Sequence, residues 1–473
     1  MEHIMKDQKP RGIAVVDAGY TNTKIALFSP AGEMLAEHKI ASRQIEGPPY
    51  RHIDPEPLMA LCREALPALD LIRPVDAIIP CGHGAAMGCV DEHGNLALPV
   101  MDYTCQPPAA IVADYTALAP KFDETYCMQL PMALTHALQL YWQSRAFPQD
   151  FARVKMTMPW MQYVGFRLSG KAVIEISSMS CQTHLMDTRH QTLSSFVKRQ
   201  GWEHLFPRMA KAWETIGYLK PEYRGTGFRG EGRVLGGVHD STANFMRYVC
   251  SGLDHFTLVS TGTWCISFDP STPLSQLVEA RDTNTNTDVL GRTVACSRFF
   301  GGKEFEIVSG GVAADRASLE TVGRLVARGT MALPSFTDSG GPVPGKGGKG
   351  HIVGPPPADD SERASLAALY CAEMVSEQLD AIVADENDII VDGPFSQNSV
   401  LLQLLAQLRP RQRVLASDLR DGTTAGAAAI ALIDDGGRLP AIGLKLTPHK
   451  AAAVAGLAHY HKTWKDKAYD RAI

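Results

Sequence analysis

The chain has 473 residues, 45% of them hydrophobic and 21% charged, and a formal net charge of −5. That length exceeds one ordinary hydrophobic core and predicts two domains. Mild acidity without basic stretches argues against nucleic acid or an anionic membrane surface as partner, and no apolar run approaches the ~20 residues of a bilayer span.

The opening stretch, residues 1–12, is polar and lacks the apolar core of a signal peptide; it reads as a disordered lead-in, and a cytoplasmic location is expected. Ile13 to Val16 and Lys24 to Phe28 are apolar runs around a polar turn, a hairpin signature. Met34 to Ile40 supplies a third strand, so the start is not a strand–helix dinucleotide opening. Asp54 to Leu69 carries Leu58, Leu61, Cys62 and Leu66 at helical spacing. Val75 to Pro80 reads as a buried strand ending in the loop Gly82-His83-Gly84-Ala85-Ala86, and Cys89 to Leu98 as strand–turn–strand. Residues 108–145 read as largely helical with a break near Pro131. Gln191 to Gln200 and Leu205 to Trp213 are helix candidates, and Lys220 to Arg233 a surface excursion.

A second cycle then begins, with helix 241–250, strand 256–260, turn 261–263 and strand 264–268, repeating the outline of the N-terminal hairpin. Residues 339–357, dense in Gly and Pro, are a loop. Arg363 to Asp385 reads as a long helix, Ile389 to Val391 as a strand, Ser399 to Leu408 as a helix, Val414 to Ser417 as a strand and Thr424 to Ile433 as a helix of small residues. The segment beyond 445 is amphipathic and expected to pack on the surface. The ten cysteines include no CxxC pair and the fifteen histidines no ligand spacing, so reduced, buried thiols and no structural metal are expected.

Four junctions carry chemistry. In Asp17-Ala18-Gly19-Tyr20-Thr21-Asn22-Thr23-Lys24 a glycine and hydroxyls at a turn offer donors to an anion. Asp17 is suited to hold Mg²⁺ through water, and Lys24 to neutralise phosphate as a point charge. Gly236-Gly237-Val238-His239-Asp240-Ser241 places a carboxylate just after two glycines. Thr261-Gly262-Thr263 is another hydroxyl–glycine turn, and Asp392-Gly393-Pro394-Phe395-Ser396-Gln397-Asn398 runs from strand to helix, where Ser396 or Asn398 also suits a simple cap. Taken singly, each is a turn. Gly340 to Lys346 matches a phosphate-loop pattern, yet Gly347 stands where Ser or Thr is required, so it is a loop.

Taken together and in order, these segments resemble the FGGY carbohydrate kinases. Gly237-Val238-His239-Asp240 is similar to that family's Gly-x-His-Asp segment, and Ser260-Thr261-Gly262-Thr263-Trp264 to the Ser-Gly-Thr-Trp segment of its L-rhamnulose and L-fuculose kinase branch. Val90 to Leu96, Leu205-Phe206-Pro207 and Gly165 to Gly170 also resemble counterparts there. The resemblance implies an α/β, two-domain, actin-like/hexokinase-type (ribonuclease H-like) fold: each domain a mixed sheet flanked by helices, with an interdomain cleft. Residues 11–240 would form the sugar, Mg and phosphate side, 241–445 the ATP side and 446–473 a tail.

It further implies an ATP- and Mg-dependent kinase acting on a hydroxyl of a small ketose or polyol, with domain closure excluding water. Asp240 is the implied base, with His239 orienting its loop. Gly19, Thr21, Asn22 and Lys24 would hold phosphate on one side, Thr261, Gly262 and Thr263 on the other, with Gly393 and Asn398 flanking adenine. His83, Asp102 and Tyr103, with Asp240, are the candidate sugar contacts. Tyr20, Pro394 and Ala86 depart from the family pattern; Ala86 stands where close relatives carry an Asp that touches the sugar. A sensor without catalysis or a sugar-independent ATPase on the same fold is the alternative, and nucleotide binding without phosphorylation, or ATP hydrolysis without sugar, would identify it. A small-molecule sugar and ATP are the expected partners, and a homodimer the default assembly.

Overall fold

The computed structural model describes residues 10–338, 341–418 and 421–470. Most of the N-terminal lead-in and Gly340 of the phosphate-loop look-alike lie outside these. Two compact units form. The first comprises the chain up to Leu253 with Asn286–Thr293 and Asp421–Leu444; the second comprises Asp254–Thr285, Val294–Arg420 and the chain from Lys445. The chain thus passes between units repeatedly, and no linear partition at 240 and 445 describes them. Helix Asp240–Val249 stays with the first unit. After residue 445 the chain adds an edge strand, Leu446–His449, and a helix, Leu457–Ala468, whose Trp464 is fully buried in the second unit.

The first unit is built on a mixed seven-stranded sheet. Ile13–Ala18 pairs antiparallel with Asn22–Phe28, which pairs antiparallel with Met34–Ala41. On its other side Ile13–Ala18 runs parallel to Ala77–Gly82, which in turn runs parallel to Arg233–Leu235 and Val238–His239. The central strands, IAVVDA and AIIPCG, are almost wholly buried, as near-continuous apolar runs in a sheet covered on both faces require. Helix Glu56–Ile72 turns Leu58, Leu61, Cys62, Ala65, Leu66 and Leu69 into the core at helical spacing.

The second unit repeats the plan. Phe256–Thr261 pairs antiparallel with Cys265–Asp269, which pairs antiparallel with Thr293–Phe299, while Asp388–Asp392 and Val414–Ser417 extend the sheet in parallel. Helix Asp360–Ala381 is buried over nearly its whole length. The expected second cycle is therefore present, and the fold is two-domain α/β, each unit a mixed sheet flanked by helices.

Two expectations fail locally. Leu205 to Trp213 is no helix: a 3-10 turn, Glu203–Leu205, gives way to extended Phe206 and the short strand Met209–Ala210. Pro207 causes this, because its ring drives the preceding residue out of the helical region. Gln191 to Gln200 is helical only from Ser195, where Ser194 caps the first turn. All ten cysteines are buried, and none forms a disulfide among the described residues. No described helix is long and apolar enough to cross a membrane.

Candidate active site

Register assembles the first half of the site. Ala18 lies beside Gly82, and Gly82 beside His239. The carboxyl ends of three neighbouring parallel strands therefore carry Asp17, His83 and Asp240 side by side, where open α/β sheets place their ligands.

Asp240 opens helix Asp240–Val249. Its Oδ1 accepts from the Ser241 amide (2.5 Å) and hydroxyl (3.1 Å), and lies 3.1 Å from His239 Nε2. Its Oδ2 has no partner among the described residues, so one carboxylate oxygen is fixed and the other remains for a ligand. His239 is buried, and burial lowers its pKa against the pull of Asp240; the ring stands against one carboxylate oxygen only. Gly84 makes room for that ring, because a Cβ there would stand 2.7 Å from His239 Nε2.

Across the hairpin, Lys24 lies opposite Asp17 with 3.7 Å between Nζ and Oδ2. Lys24 also forms a short salt bridge with Asp421, which caps helix Gly422–Ile430 by accepting from the Thr424 hydroxyl at 2.7 Å. Gly426 lets that helix pack closely on Asp240–Val249, since a Cβ there would strike the Ala243 carbonyl at 1.8 Å. Thr21 and Asn22 are exposed at the turn. The carbonyls of Gly19, Tyr20 and Thr21 accept from Ser42 Oγ, Gln44 Nε2 and the Ser42 amide. The carbonyl side of the turn is spent on protein contacts, as an anion-binding turn needs.

Asp17 and Asp421 thus share one lysine, with the Asp240 carboxylate near enough to repel Asp17. Burial first, then repulsion from Asp240 and Asp421, pushes the Asp17 carboxyl up to about 7 against the pull of Lys24. This excess of negative charge suits a hydrated divalent cation. The described residues contain no cluster of three or more ligand side chains able to hold a bare metal, so the fit is to an ion held through water. The sign of the shift gives a stability prediction. The folded state binds the Asp17 proton more tightly than the unfolded chain, so its contribution is full below pH ~4 and is lost as pH rises through about 7. Asp17→Asn removes that loss. In melting curves without ligand, the Asn variant gains stability relative to wild type between pH 5 and 8. A difference that stays flat over that range contradicts the burial argument.

The candidate sugar contacts separate into two kinds. Asp102 is fully buried and spends its oxygens on Tyr20 OH (3.1 Å), Arg51 Nε (2.9 Å) and the amide and hydroxyl of Thr104 (both 2.8 Å), and these donors hold its pKa down against desolvation. In the structure Asp102 thus ties down Tyr20 and Arg51. Tyr20, His83 and Tyr103 form an aromatic wall, with ring centroids 4.4 Å apart for the tyrosines and 5.9 and 6.0 Å from His83 to each. Burial lowers His83 to about 4, so it acts as a neutral hydrogen-bonding ring, and its buried Nδ1 has no partner. Ala86 is fully buried.

The second unit holds a separate pocket of about 350 Å³, lined by Gly262, Thr263, Phe305, Pro394, Phe395 and Asn398, with Gly302 and Lys303 at the start of helix Gly301–Ser309. Thr261 does not line it. Its hydroxyl donates to the Asp392 carbonyl and accepts from the Phe395 amide at 3.0 Å, clasping the two strand ends together. Asn398 Oδ1 caps helix Ser399–Leu408 at the Leu401 amide (3.1 Å), while its buried Nδ2 lacks a partner. A slot with two phenylalanine rings, 6.1 Å between centroids, and one unused amide donor suits a flat heteroaromatic base.

Sequence reasoning missed Asp421, Arg51 and the helix start at Gly302–Lys303. Only Asp421 left a signal: an Asp three residues before Thr424, ahead of an alanine-rich helix, is a cap signature.

The model of the N-terminal domain of the FGGY family of carbohydrate kinases matches residues 13–246, and that of the carbohydrate kinase FGGY C-terminal domain matches 254–438. No curated protein matches this sequence. Among solved structures, a carbohydrate kinase from Novosphingobium aromaticivorans is 30% identical, with 98% of this chain and 99% of that one covered at a TM-score of 0.87. A ligand-bound xylulose kinase and a gluconate kinase, both from Lactobacillus acidophilus, are 15% and 14% identical. Each has a TM-score of 0.80, with 97% of this chain and 97% and 96% of theirs covered.

Proposed function

Because the chain belongs to the FGGY family of carbohydrate kinases, which are phosphotransferases, we propose that it transfers the γ-phosphoryl group of ATP to a primary hydroxyl of a small ketose or polyol-like sugar. The observation that carries this reading is Asp240: one oxygen fixed by its own helix, the other unpartnered, beside Asp17, Lys24 and His83.

In the reaction the sugar oxygen attacks the γ-phosphorus and a new P–O bond forms. The bond to the β-phosphate bridging oxygen breaks, and ADP leaves with that electron pair. The hydroxyl proton passes to Asp240 Oδ2. Phosphoryl transfer asks the protein chiefly for positioning and charge stabilisation. Gly19, Thr21, Asn22 and Lys24 hold phosphate in the first unit. In the second, the Gly262–Thr263 turn and Lys303 hold phosphate, with Gly393 and Asn398 at the base. Asp17 would hold Mg²⁺ through water, and the ion would supply charge neutralisation at the phosphates.

Sugar specificity follows from the wall beside the base. His83 and Tyr103 offer polar atoms without a carboxylate, and Ala86 leaves unfilled the role of a sugar-binding Asp. Motif similarity to the L-fuculose and L-rhamnulose branch supports a ketose, and the missing acid supports a sugar other than those two. A coupled ADP assay across ketoses, aldoses and polyols tests this. The expected result is sugar-dependent ADP release with highest kcat/KM on a ketose or polyol that is neither L-fuculose nor L-rhamnulose. A clear preference for L-fuculose refutes the specificity argument, and ADP release independent of sugar refutes the kinase reading.

A further inference from the structure

A second pocket lies in the first unit, away from the strand ends that carry Asp17 and Asp240. It encloses about 430 Å³ and is lined by Glu56, His93, Tyr163, Phe166, Arg167 and Lys220, among others. Two stretches with no part in phosphoryl transfer meet here: the turn His93-Gly94-Asn95 and the end of helix Trp160–Ser169.

The charges of this pocket select an anion. Lys220 is half-buried and has no ion-pair partner among the described residues. Arg167 donates to Tyr163 OH (3.0 Å) and to Glu56 Oε1 (2.9 Å). Glu56 is the only carboxylate on the wall, and its side chain is 59% exposed. Ion pairs of that exposure contribute little, so an incoming anion displaces Glu56 from Arg167 at small cost. Pro55 and Glu56 also bring the start of helix Glu56–Ile72 to the wall, where the Glu56 amide is already taken by Asp54 Oδ1 at 3.1 Å, so the anion is left to Arg167 and Lys220. The volume suits a small metabolite, and the half-buried Phe166 ring offers a face to its carbon skeleton.

The same helix reaches the active site. Tyr163 stacks on Trp160 with ring centroids 5.8 Å apart and planes 20° from parallel. Trp160 Nε1 donates to the Ala18 carbonyl at 3.1 Å, between Asp17 and Gly19. Gln162 Nε2 donates to the Gly236 carbonyl at 3.1 Å, in the turn that leads to Asp240. One end of this ten-residue helix senses the pocket, and the other pins both catalytic turns.

We propose that the pocket is a second binding site, for a small phosphorylated metabolite, and that its occupancy alters turnover through helix Trp160–Ser169. Calorimetric titration with glycerol 3-phosphate and with inorganic phosphate tests the first half without any turnover. The expected result is binding that weakens at least ~10-fold in Arg167→Gln and in Lys220→Gln, through loss of a charge-assisted hydrogen bond, and that persists in Lys24→Gln. Lys220→Gln changes a half-buried surface lysine without protein partners, so it stays informative if loss of Arg167 disturbs Tyr163. Binding that vanishes in Lys24→Gln and survives both pocket variants places the anion in the hairpin turn and overturns the site, as does the absence of binding at millimolar ligand. Retention by inorganic phosphate alone overturns the metabolite class. The second half rests on the kinase reading: glycerol 3-phosphate shifts the sugar KM or kcat in wild type and leaves Lys220→Gln, with unchanged basal turnover, unaffected. Binding with no kinetic effect overturns the coupling.

Discussion

Asp240→Asn lowers sugar-dependent ADP formation by ~10²–10⁴-fold, the range lost with a positioned general base, while ADP and sugar still bind. The substitution is close to isosteric. The amide oxygen of Asn keeps an acceptor for the Ser241 amide and hydroxyl, so the turn and helix start are retained and melting temperature moves little. What disappears is the lone pair at Oδ2 that accepts the hydroxyl proton. A steady-state coupled assay measures turnover, and calorimetry with ADP and then sugar shows that the losses are chemical. Asp240→Ala extends the test, since it also removes the acceptor for the Ser241 amide and hydroxyl and the carboxylate beside His239. Turnover within a few-fold of wild type in the Asn variant would sink the assignment of Asp240 as base. So would a loss confined to the sugar KM, which is the mark of a binding residue.

Much of this site is written in local sequence, and what is missing is non-local. Helix Ser399–Leu408 and strand Val414–Ser417 have the limits that periodicity assigns them, because each is an uninterrupted apolar pattern between clear caps or turns. The Asp17–Lys24 hairpin and the Asp240 junction are equally local, being glycine turns between buried strands. Asp421 is 397 residues from Lys24, and no spacing rule joins an acid to a base over that distance. Its neighbour in space is chosen by Gly422 and Gly426 packing on helix Asp240–Val249. Strand Thr283–Thr287 reads TNTNT and is fully buried, so the alternation of apolar residues that marks strands has nothing to register. Asp102 illustrates a different failure. The residue types in the wall are legible, but only the hydrogen bonds show that its carboxylate is consumed by Tyr20, Arg51 and Thr104 and that Tyr20 is tied down by it.

Gly262→Ala, in the wall of the pocket proposed for the nucleotide, and Gly393→Ala, one residue before its Pro394, give opposite results. Gly393 has φ 71° and ψ −160°, a region open essentially to glycine alone. A Cβ there would lie 1.9 Å from the Thr261 carbonyl oxygen and 2.9 Å from Thr261 Oγ1. That oxygen belongs to the clasp that joins the ends of Phe256–Thr261 and Asp388–Asp392, so relief of the clash must separate two central parallel strands or break the hydroxyl's bond to the Phe395 amide. Strain and lost contacts together cost roughly 3–5 kcal/mol, a large share of the stability of a typical domain. Denaturant unfolding should show this as a lower midpoint for the second unit, and ADP affinity should fall with it because Phe395 and Asn398 follow directly. At Gly262 the backbone is not left-handed, and the nearest atom to a Cβ is the Trp264 carbonyl oxygen at 3.8 Å. The fold therefore accepts Gly262→Ala with a change of stability of about 0.5 kcal/mol. If Gly262 lets its backbone approach a phosphate, nucleotide affinity alone suffers there, and a loss of ADP binding without a shift in the unfolding midpoint separates a ligand-contacting glycine from a structural one. Equal unfolding midpoints for the two variants would show that the Gly393 turn relaxes freely and that the clasp does not hold the pocket.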